Sequence, residues 1–228
     1  MKNILMILTS HSDMENTDSK TGVWLGEFTD PYYEFVDQGY SVTLASPLGG
    51  KPPVDPLSEL TENITASNRR FQEDSAAQLA FTKTHTLESV DPELYDAVFY
   101  PGGHGPLWDL ARNETSARII LDYYNIGKPI GAVCHGPAAL IKAAELQQGF
   151  LNGKRISGFT NTEETLTARS GNIPYELETR LKELGADFHS ALVPFTSNVE
   201  VDGLLVTGQN PLSAGPTAKA LIDVLERQ

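Results

Sequence analysis

The segment Gly131–Pro137, with the sequence GAVCHGP, carries the only cysteine of the chain and decides how the rest is interpreted. The apolar run before Cys134 has the length and composition of a buried parallel strand. Pro137 is tolerated in a first helical turn, and the alanine-rich stretch after it favours a helix. A residue held between a strand end and a helix start is forced into a tight turn, the nucleophile elbow. We therefore expect a helix N-terminus to face Cys134 and favour its thiolate; a buried structural cysteine is the alternative.

The composition limits the compartment and the partners of the protein. The chain has 228 residues, of which 40% are hydrophobic, and a formal net charge of −13. Such a charge disfavours nucleic acid and anionic membrane surfaces as partners. A single cysteine forms no intrachain disulfide and fits a reducing compartment. The N-terminal apolar run is too short for a signal peptide and no segment is long enough to span a membrane, so we expect a cytoplasmic protein.

Apolar runs alternate with helical patterns along the chain, which predicts an α/β fold with a mostly parallel central sheet. Strands are predicted at 4–9, 42–46, 97–100, 130–133, 155–158 and 204–207, with a further strand at 187–192. Helices are predicted at 24–37, 68–80, 116–124, 137–144, 174–184 and 215–227. The sequence shows no internal repeat and no interdomain linker, so residues 1–228 are expected to form one domain.

In open parallel sheets, functional residues collect at the carboxyl ends of the strands. The segment PGGHGP (101–106) follows one predicted strand, and its glycines allow backbone N–H groups to face a substrate. Together with the N–H of His135, this loop can form an oxyanion hole. Gly102, Gly103 and His104 are therefore candidate substrate-binding residues, and an ordinary turn is the alternative.

His135 follows Cys134 directly and is the natural general base, with a solvent-exposed histidine as the alternative. A base needs a partner that orients its second nitrogen. Glu163 and Glu164, which follow the predicted strand at 155–158, offer two carboxylates, and the sequence does not choose between them. Glu27 lies on the helix after the first strand, and composition alone predicts a surface carboxylate there.

These segments resemble the ThiJ/PfpI superfamily of glutamine-amidotransferase-like proteins. Within it, the chain is similar to the branch of heat-inducible chaperones and glutathione-independent glyoxalases (glyoxalase III). The similar segments cover almost the whole chain and are TGVW (21–24) with Glu27 and Pro31, ASPLGG (45–50), PVDP (53–56), DAVFYPGGHG (96–105), AVCHGP (132–137), GFTN (158–161) and TGQNP (207–211).

The resemblance implies a role for each candidate residue. Cys134 becomes the nucleophile, and Glu27 a carboxyl that is hydrogen-bonded to its sulfur. His135 becomes the base, with an acidic residue near Glu163 or Glu164 as its partner. The third member of the triad varies in this superfamily, so the resemblance leaves the choice between the two glutamates open.

The resemblance also implies a flavodoxin-like three-layer sandwich that is commonly a homodimer. The backbone groups of Gly103 and His135 would bind the oxyanion, and Trp24, in a segment shared with the branch, is a further substrate-binding candidate. No metal is needed for the chemistry, and Gly102–Gly105 lacks the spacing of a dinucleotide or phosphate-binding loop, so no cofactor is expected.

The activity implied is that of a glyoxalase III-like lyase. It would convert methylglyoxal or a related 2-oxoaldehyde to a hydroxy acid without glutathione, and deglycase-type hydrolysis is an additional expectation. The expected partner is thus a small carbonyl substrate. A holdase-type stress chaperone and a cysteine redox sensor are the alternatives, and an amidase or peptidase is a remote one.

Overall fold

The computed structural model describes residues 2–228 and places a seven-stranded sheet at the centre of the molecule. The strands are β1 (Asn3–Ile7), β2 (Ser41–Ser46), β3 (His85–Thr86), β4 (Ala97–Tyr100), β5 (Ile130–Val133), β6 (Arg155–Ile156), β7 (Asp187–Phe188), β8 (Val199–Asp202) and β9 (Leu205–Gly208). The helices are α1 (Leu25–Asp37), α2 (Ala66–Glu73), α3 (Ser75–Thr82), α4 (Glu114–Ile126), α5 (Ala139–Leu146), α6 (Asn161–Leu166), α7 (Leu177–Glu183) and α8 (Ala214–Glu226).

The central sheet has the strand order β3-β2-β1-β4-β5-β9-β8. Every neighbouring pair is parallel except β8 with β9, which are antiparallel. Strands β6 and β7 form a separate two-stranded parallel sheet. The main sheet is therefore mostly parallel, and the carboxyl ends of β1, β4 and β5 lie side by side at one edge.

Two hydrophobic cores cover the two faces of the sheet, because successive side chains of a strand point to opposite faces. In β1, Leu5 and Ile7 pack in one core with residues of α4 and α5. Ile4 and Met6 pack in the other core with residues of α1 and α8. All residues of β4 and β5 are buried, as expected for central parallel strands. The result is the predicted flavodoxin-like three-layer α/β sandwich.

The predicted strands at 97–100 and 130–133 have the bounds of β4 and β5. The predicted helix at 68–80 is wrong, because Asp74 ends α2 and its carboxylate caps α3 by accepting the backbone N–H groups of Ala76 and Ala77. The strand predicted at 155–158 is shorter and lies outside the main sheet. The short strands β3 and β8 were not predicted.

Predicted boundaries shift in other elements as well. The helix expected from 137 begins as a tighter 3₁₀ turn at Gly136–Ala138, and α5 itself begins at Ala139. The helix expected from 174 begins at Leu177. The strand expected at 187–192 ends at Phe188. Among residues 2–228, each helix is too short or too polar to cross a lipid bilayer.

Candidate active site

Cys134 occupies a strained turn at the carboxyl end of β5. Its φ of 59° lies in the left-handed region, which costs a non-glycine residue about 1–2 kcal/mol. The turn is held on both sides: the Cys134 N–H donates to the Gly208 carbonyl at 3.0 Å, and the Phe159 N–H donates to the Cys134 carbonyl at 2.9 Å. The predicted elbow is therefore present, and the neighbouring chain fixes its geometry.

Gly136 lets this turn lie against the end of β4. A Cβ atom added at Gly136 would lie 2.2 Å from the Tyr100 carbonyl oxygen, which belongs to backbone that cannot move aside easily. Any side chain at this position would therefore push the elbow away from the neighbouring strand. The close approach of the two backbones therefore requires a glycine at position 136.

The glycine loop after β4 supplies backbone N–H groups to the elbow. Gly103 has a φ of +93°, and a Cβ atom there would lie 2.1 Å from the Gly22 carbonyl oxygen. Its N–H faces the Cys134 sulfur and lowers the thiol pKa. Within residues 2–228, no oxygen acceptor takes the backbone N–H of Gly103 or His135. These two groups are therefore placed to receive a developing negative charge.

Gly102 does not fit the expected oxyanion role. Its N–H donates to Glu27 Oε2 at 3.0 Å and is therefore not free for a substrate. A Cβ atom at this position would lie 2.4 Å from the same carboxyl oxygen. Gly102 thus positions Glu27 beside the elbow, a role that the sequence analysis did not assign.

Glu27 is completely buried in the first turn of α1, so the surface interpretation of this carboxylate is wrong. Burial raises its pKa well above the ordinary value for a glutamate, against the hydrogen bonds from Cys134 and Gly102 that lower it. Its Oε1 atom is buried without a hydrogen-bond partner of good geometry. A protonated carboxyl fits this site, since one oxygen accepts from Gly102 and the proton faces the sulfur.

The prediction that the pKa of Cys134 is lowered is wrong, because the surroundings of the thiol raise this pKa. Burial raises the pKa of the thiol, and the charge of an ionised Glu27 would raise it further. The helix that was expected to favour the thiolate begins only at Ala139. Because Cys134 and Glu27 are in contact, their protons belong to the pair and not to either residue alone.

His135 lies between Cys134 and Glu164. Its Nδ1 atom is 3.4 Å from the Cys134 sulfur, and its Nε2 atom is 2.7 Å from Glu164 Oε2. The imidazole is only 1% exposed, so the solvent-exposed alternative is excluded. Burial acts to raise the pKa of Glu164, but the positive charge that His135 carries when protonated and the hydrogen bonds from two histidines outweigh it and lower this pKa well below its ordinary value.

Glu163, the other candidate partner, points away from the elbow. It forms a capping box with Thr160 at the start of α6. Its Oε1 atom accepts three hydrogen bonds, from Phe195 N–H at 2.8 Å, Gln209 Nε2 at 2.9 Å and Asn210 Nδ2 at 2.9 Å. The structure therefore brings Glu164 to His135 and uses Glu163 to join three loops.

Both ring nitrogens of His104 are hydrogen-bonded to other side chains, so its imidazole is not free to bind a substrate in the cavity. Its Nε2 atom lies 2.7 Å from Glu164 Oε1, and its Nδ1 atom lies 3.1 Å from Arg169 Nη1. Arg169 also forms an ion pair with the buried Asp55 at 2.7 Å. Burial, together with the positive charge that His135 carries when protonated, lowers the pKa of His104 to about 4, so the His104 ring is neutral at neutral pH. The sequence alone indicates no role for Arg169 or Asp55.

His104, His135 and Glu164 are the one group of three metal-ligating side chains within residues 2–228 whose donor atoms lie within 4.8 Å of one another. Each of these atoms already takes part in a hydrogen bond inside the group. The Arg169 guanidinium lies against the group as well, and its positive charge disfavours a cation. The arrangement fits a proton-transfer network better than a metal site.

A cavity of about 760 Å³ opens onto the elbow. Cys134, His135 and Gly103 lie in its wall, and Trp24, just before α1, also lines it; the substrate-binding role of Trp24 stays a prediction. Its other side is lined by acidic groups, Asp30, Glu34 and Glu62, and by Lys219, which pairs with Glu34.

The sheet order, the strained cysteine after β5 and the adjacent histidine–carboxylate pair define an α/β protein of the glutamine-amidotransferase-like class. The chain belongs to the DJ-1/PfpI family, whose sequence model matches residues 20–223.

Among curated proteins, the chain is 31% identical to the glutathione-independent glyoxalase HSP31 of Saccharomyces cerevisiae, over 99% of this chain and 98% of that protein. The crystal structure of glyoxalase III from Candida albicans superimposes with a TM-score of 0.89 at 29% identity and covers 100% of this chain and 98% of that one. Rapid Encystment Protein 24 kDa of Francisella tularensis superimposes with a TM-score of 0.93 at 38% identity, with 99% of each chain covered.

Proposed function

We propose that this protein is a glutathione-independent glyoxalase, a lyase that converts methylglyoxal or a related 2-oxoaldehyde to a hydroxy acid. The observation that carries the proposal is the position of Cys134 between a buried, protonated Glu27 and the His135–Glu164 pair. A thiol with an acid on one side and a base on the other suits addition to a carbonyl followed by proton transfer. The similarity to proteins named as glyoxalases supports the same reaction.

In the first step, the Cys134 sulfur attacks the aldehyde carbon of methylglyoxal. His135 Nδ1 takes the thiol proton, because it is the basic atom that faces the sulfur at 3.4 Å. The aldehyde oxygen becomes an oxyanion, which the backbone N–H groups of Gly103 and His135 stabilise. It then takes the proton from His135, and a hemithioacetal results.

In the second step, the base removes the C1 proton of the hemithioacetal and an enediol forms. His135 is the base in this scheme, and the protonated Glu27 gives its proton to the C2 oxygen. His135 then returns its proton to C2 while the C1 hydroxyl proton passes to the Glu27 carboxylate, and a lactoyl thioester remains on Cys134. Water then adds to the thioester carbonyl, the C–S bond breaks, and lactate leaves while the sulfur regains its proton.

The charges of the cavity are compatible with this substrate and product. Methylglyoxal is neutral, so the carboxylates of Asp30, Glu34 and Glu62 do not repel it on entry. Lactate is an anion, and the same carboxylates favour its departure from the site. The acidic wall therefore acts on the product and not on the substrate.

The test is a lactate assay on the purified protein with methylglyoxal and no glutathione. We expect lactate from the wild type and none from Cys134→Ala, which should fold normally because the change removes one small side chain beside an open cavity. His135→Ala should lose turnover, whereas His189→Ala, which removes an exposed histidine that also pairs with a carboxylate, Asp187, is the matched control and should retain it.

The competing functions make different predictions in the same experiment. A holdase-type chaperone would form no lactate with any of several 2-oxoaldehydes and would still suppress aggregation of a client protein in the Cys134→Ala variant. A redox sensor would show oxidation of Cys134 without turnover. Activity on amide or peptide bonds alone would support an amidase or peptidase. The homodimer, the cytoplasmic location and a deglycase-type activity stay predictions.

A further inference from the structure

A chain of buried polar side chains lies behind the catalytic pair of the proposed reaction. Asp55 contacts Arg169 at 2.7 Å, Arg169 contacts His104 at 3.1 Å, and His104 contacts Glu164 at 2.7 Å. Glu164 in turn contacts His135 at 2.7 Å. In this chain, the guanidinium can only donate hydrogen bonds and the carboxylates can only accept them. Each neutral imidazole can donate from one nitrogen and accept at the other.

The direction of each hydrogen bond in this chain follows from Arg169. A guanidinium has only N–H donors, so His104 Nδ1 must accept from it and carries no hydrogen. The proton of the neutral His104 ring is therefore on Nε2, which donates to Glu164 Oε1. Asp55 fixes the guanidinium, because it accepts from both Nη1 and Nη2 of Arg169.

The same reasoning continues to the elbow. Glu164 is ionised and accepts at both oxygens, one from His104 and one from His135. His135 therefore carries a proton on Nε2, and its neutral form presents the free electron pair of Nδ1 to the Cys134 sulfur. This is the form in which His135 can accept the thiol proton.

We propose that Arg169 and His104 are positioning residues, which hold Glu164 in the orientation that keeps the Nδ1 atom of His135 free for the Cys134 thiol. If the His104 proton moved to Nδ1, its Nε2 atom would face Glu164 Oε1 as acceptor against acceptor. The carboxylate would then turn, and the base would lose its alignment. Asp55, completely buried and paired with the guanidinium, holds Arg169 in place at the wall of the cavity.

The direct test is the tautomer of His104, read from nitrogen–hydrogen correlation NMR spectra of the imidazole rings. The chain has five histidines, so the spectra are simple, and the His104→Gln variant assigns the signal. We expect a neutral ring with its proton on Nε2 at neutral pH. A proton on Nδ1, or a charged ring, would overturn the proposal. This part needs no substrate and stands apart from the proposed function.

The Arg169→Met variant tests the origin of that tautomer. The charged and titratable groups that face His104 are Glu164, His135 and Arg169. Loss of the guanidinium should allow both neutral tautomers and raise the pH at which the ring takes up a proton. Arg169→Lys, which keeps one donor, should partly restore the Nε2–H form. An unchanged His104 signal in Arg169→Met would overturn the proposal.

The effect on turnover rests on the proposed function. In Arg169→Met we expect kcat to fall by up to about 100-fold with little change in KM, since the reacting groups lose alignment and the cavity is kept. A new acid limb should appear in the pH profile of kcat. Arg118→Met, which removes an exposed helix ion pair, is the control and should behave as the wild type. If Arg169→Met had the same kcat and pH profile as the wild type, the positioning role would be overturned. If the wild-type protein formed no lactate but showed the expected His104 tautomer, only the proposed function would be overturned.

Discussion

Two glutamates from different helices lie at the elbow, and their surroundings shift their pKa values in opposite directions. Glu27, from α1, is completely buried and accepts one backbone hydrogen bond, from the Gly102 N–H, and burial raises its pKa. Glu164, from α6, receives hydrogen bonds from two imidazoles, and its pKa is lowered. One side of Cys134 thus offers an acid and the other a carboxylate that supports a base.

The comparison shows that the partners of a carboxyl decide its role more than its residue type does. Glu163 and Glu164 make the same point at closer range, because they are adjacent in the sequence and both buried. Glu163 accepts hydrogen bonds from a loop N–H group and from side-chain amides, whereas Glu164 accepts them from two histidines. The predictions below separate these roles.

The largest effect is expected for Glu164→Gln. An amide presents one acceptor and one donor, so it cannot accept from both histidines, and His135 can be driven into the form with its proton on Nδ1. We expect kcat to fall on the order of 10³-fold or more, as when an amide replaces the carboxylate that orients a catalytic histidine. The measurement is lactate formation by folded protein. Turnover near the wild-type value would remove Glu164 from the mechanism.

A smaller loss is expected for Glu27→Gln, which keeps a hydrogen-bond donor and loses the titrating proton. We expect kcat to fall by about 10²-fold, the lower range for loss of a general acid. The pH at which Cys134 becomes reactive to an alkylating agent should fall, because Glu27 and the thiol lose their protons as a coupled pair, and glutamine leaves no negative charge to oppose the thiolate once the first proton has gone. In the wild type, where burial raises the thiol pKa, this inflection should lie above about 8.5. Unchanged turnover would separate Glu27 from the chemistry.

The two glutamates should also act oppositely on stability as the pH changes. Because the pKa of Glu27 is raised in the folded protein, this residue contributes stability below its unfolded pKa of about 4.3, and that stability is lost as the pH rises. The free energy of unfolding of Glu27→Gln, relative to that of the wild type, should therefore increase with pH, by up to about 1.4 kcal/mol per pH unit. The lowered pKa of Glu164 contributes stability above that pH, so Glu164→Gln should lose stability at neutral pH and approach the wild type in acid.

Urea unfolding of the three proteins across about pH 4–8 would measure both trends. Because the pKa of His104 is lowered to about 4, its ring adds a loss of wild-type stability as the pH falls from about 6.5. Parallel pH profiles for the two variants would contradict opposite protonation of the two carboxyls.

The smallest effect on turnover is expected for Glu163→Gln, the neighbour and control of Glu164. An amide N–H₂ group would face the Phe195, Gln209 or Asn210 donors, and an unsatisfied buried group costs about 1–3 kcal/mol. Stability should therefore fall, while turnover per folded molecule stays far closer to the wild type than in Glu164→Gln. A larger loss of turnover than in Glu164→Gln would reverse the assignment of the two residues.

The sequence predicted the sheet around the elbow well, because β4 and β5 are continuous apolar runs that end in glycine-containing turns. The sequence also carries a signal that separates the two glutamates: the spacing from Thr160 to Glu163 is that of a capping box. This pattern assigns Glu163 to the helix start and leaves Glu164 as the partner of His135. Asp74 followed by Ser75 was a similar signal for the break between α2 and α3.

Other features could not be read from local patterns. Arg169 and Asp55 are 114 residues apart, and their ion pair exists only in the folded chain. The raised pKa of Cys134 depends on burial by distant segments, including Glu27 from α1. The pairing of β6 with β7 outside the main sheet depends on tertiary packing and not on the composition of either strand.

The opposite protonation of the two flanking carboxyls is tested most directly by infrared difference spectra at neutral pH. The wild type minus Glu27→Gln should show the carbonyl band of a protonated carboxyl, and the wild type minus Glu164→Gln should show the bands of a carboxylate. A carboxylate signal from Glu27, or a protonated carboxyl signal from Glu164, would contradict the account.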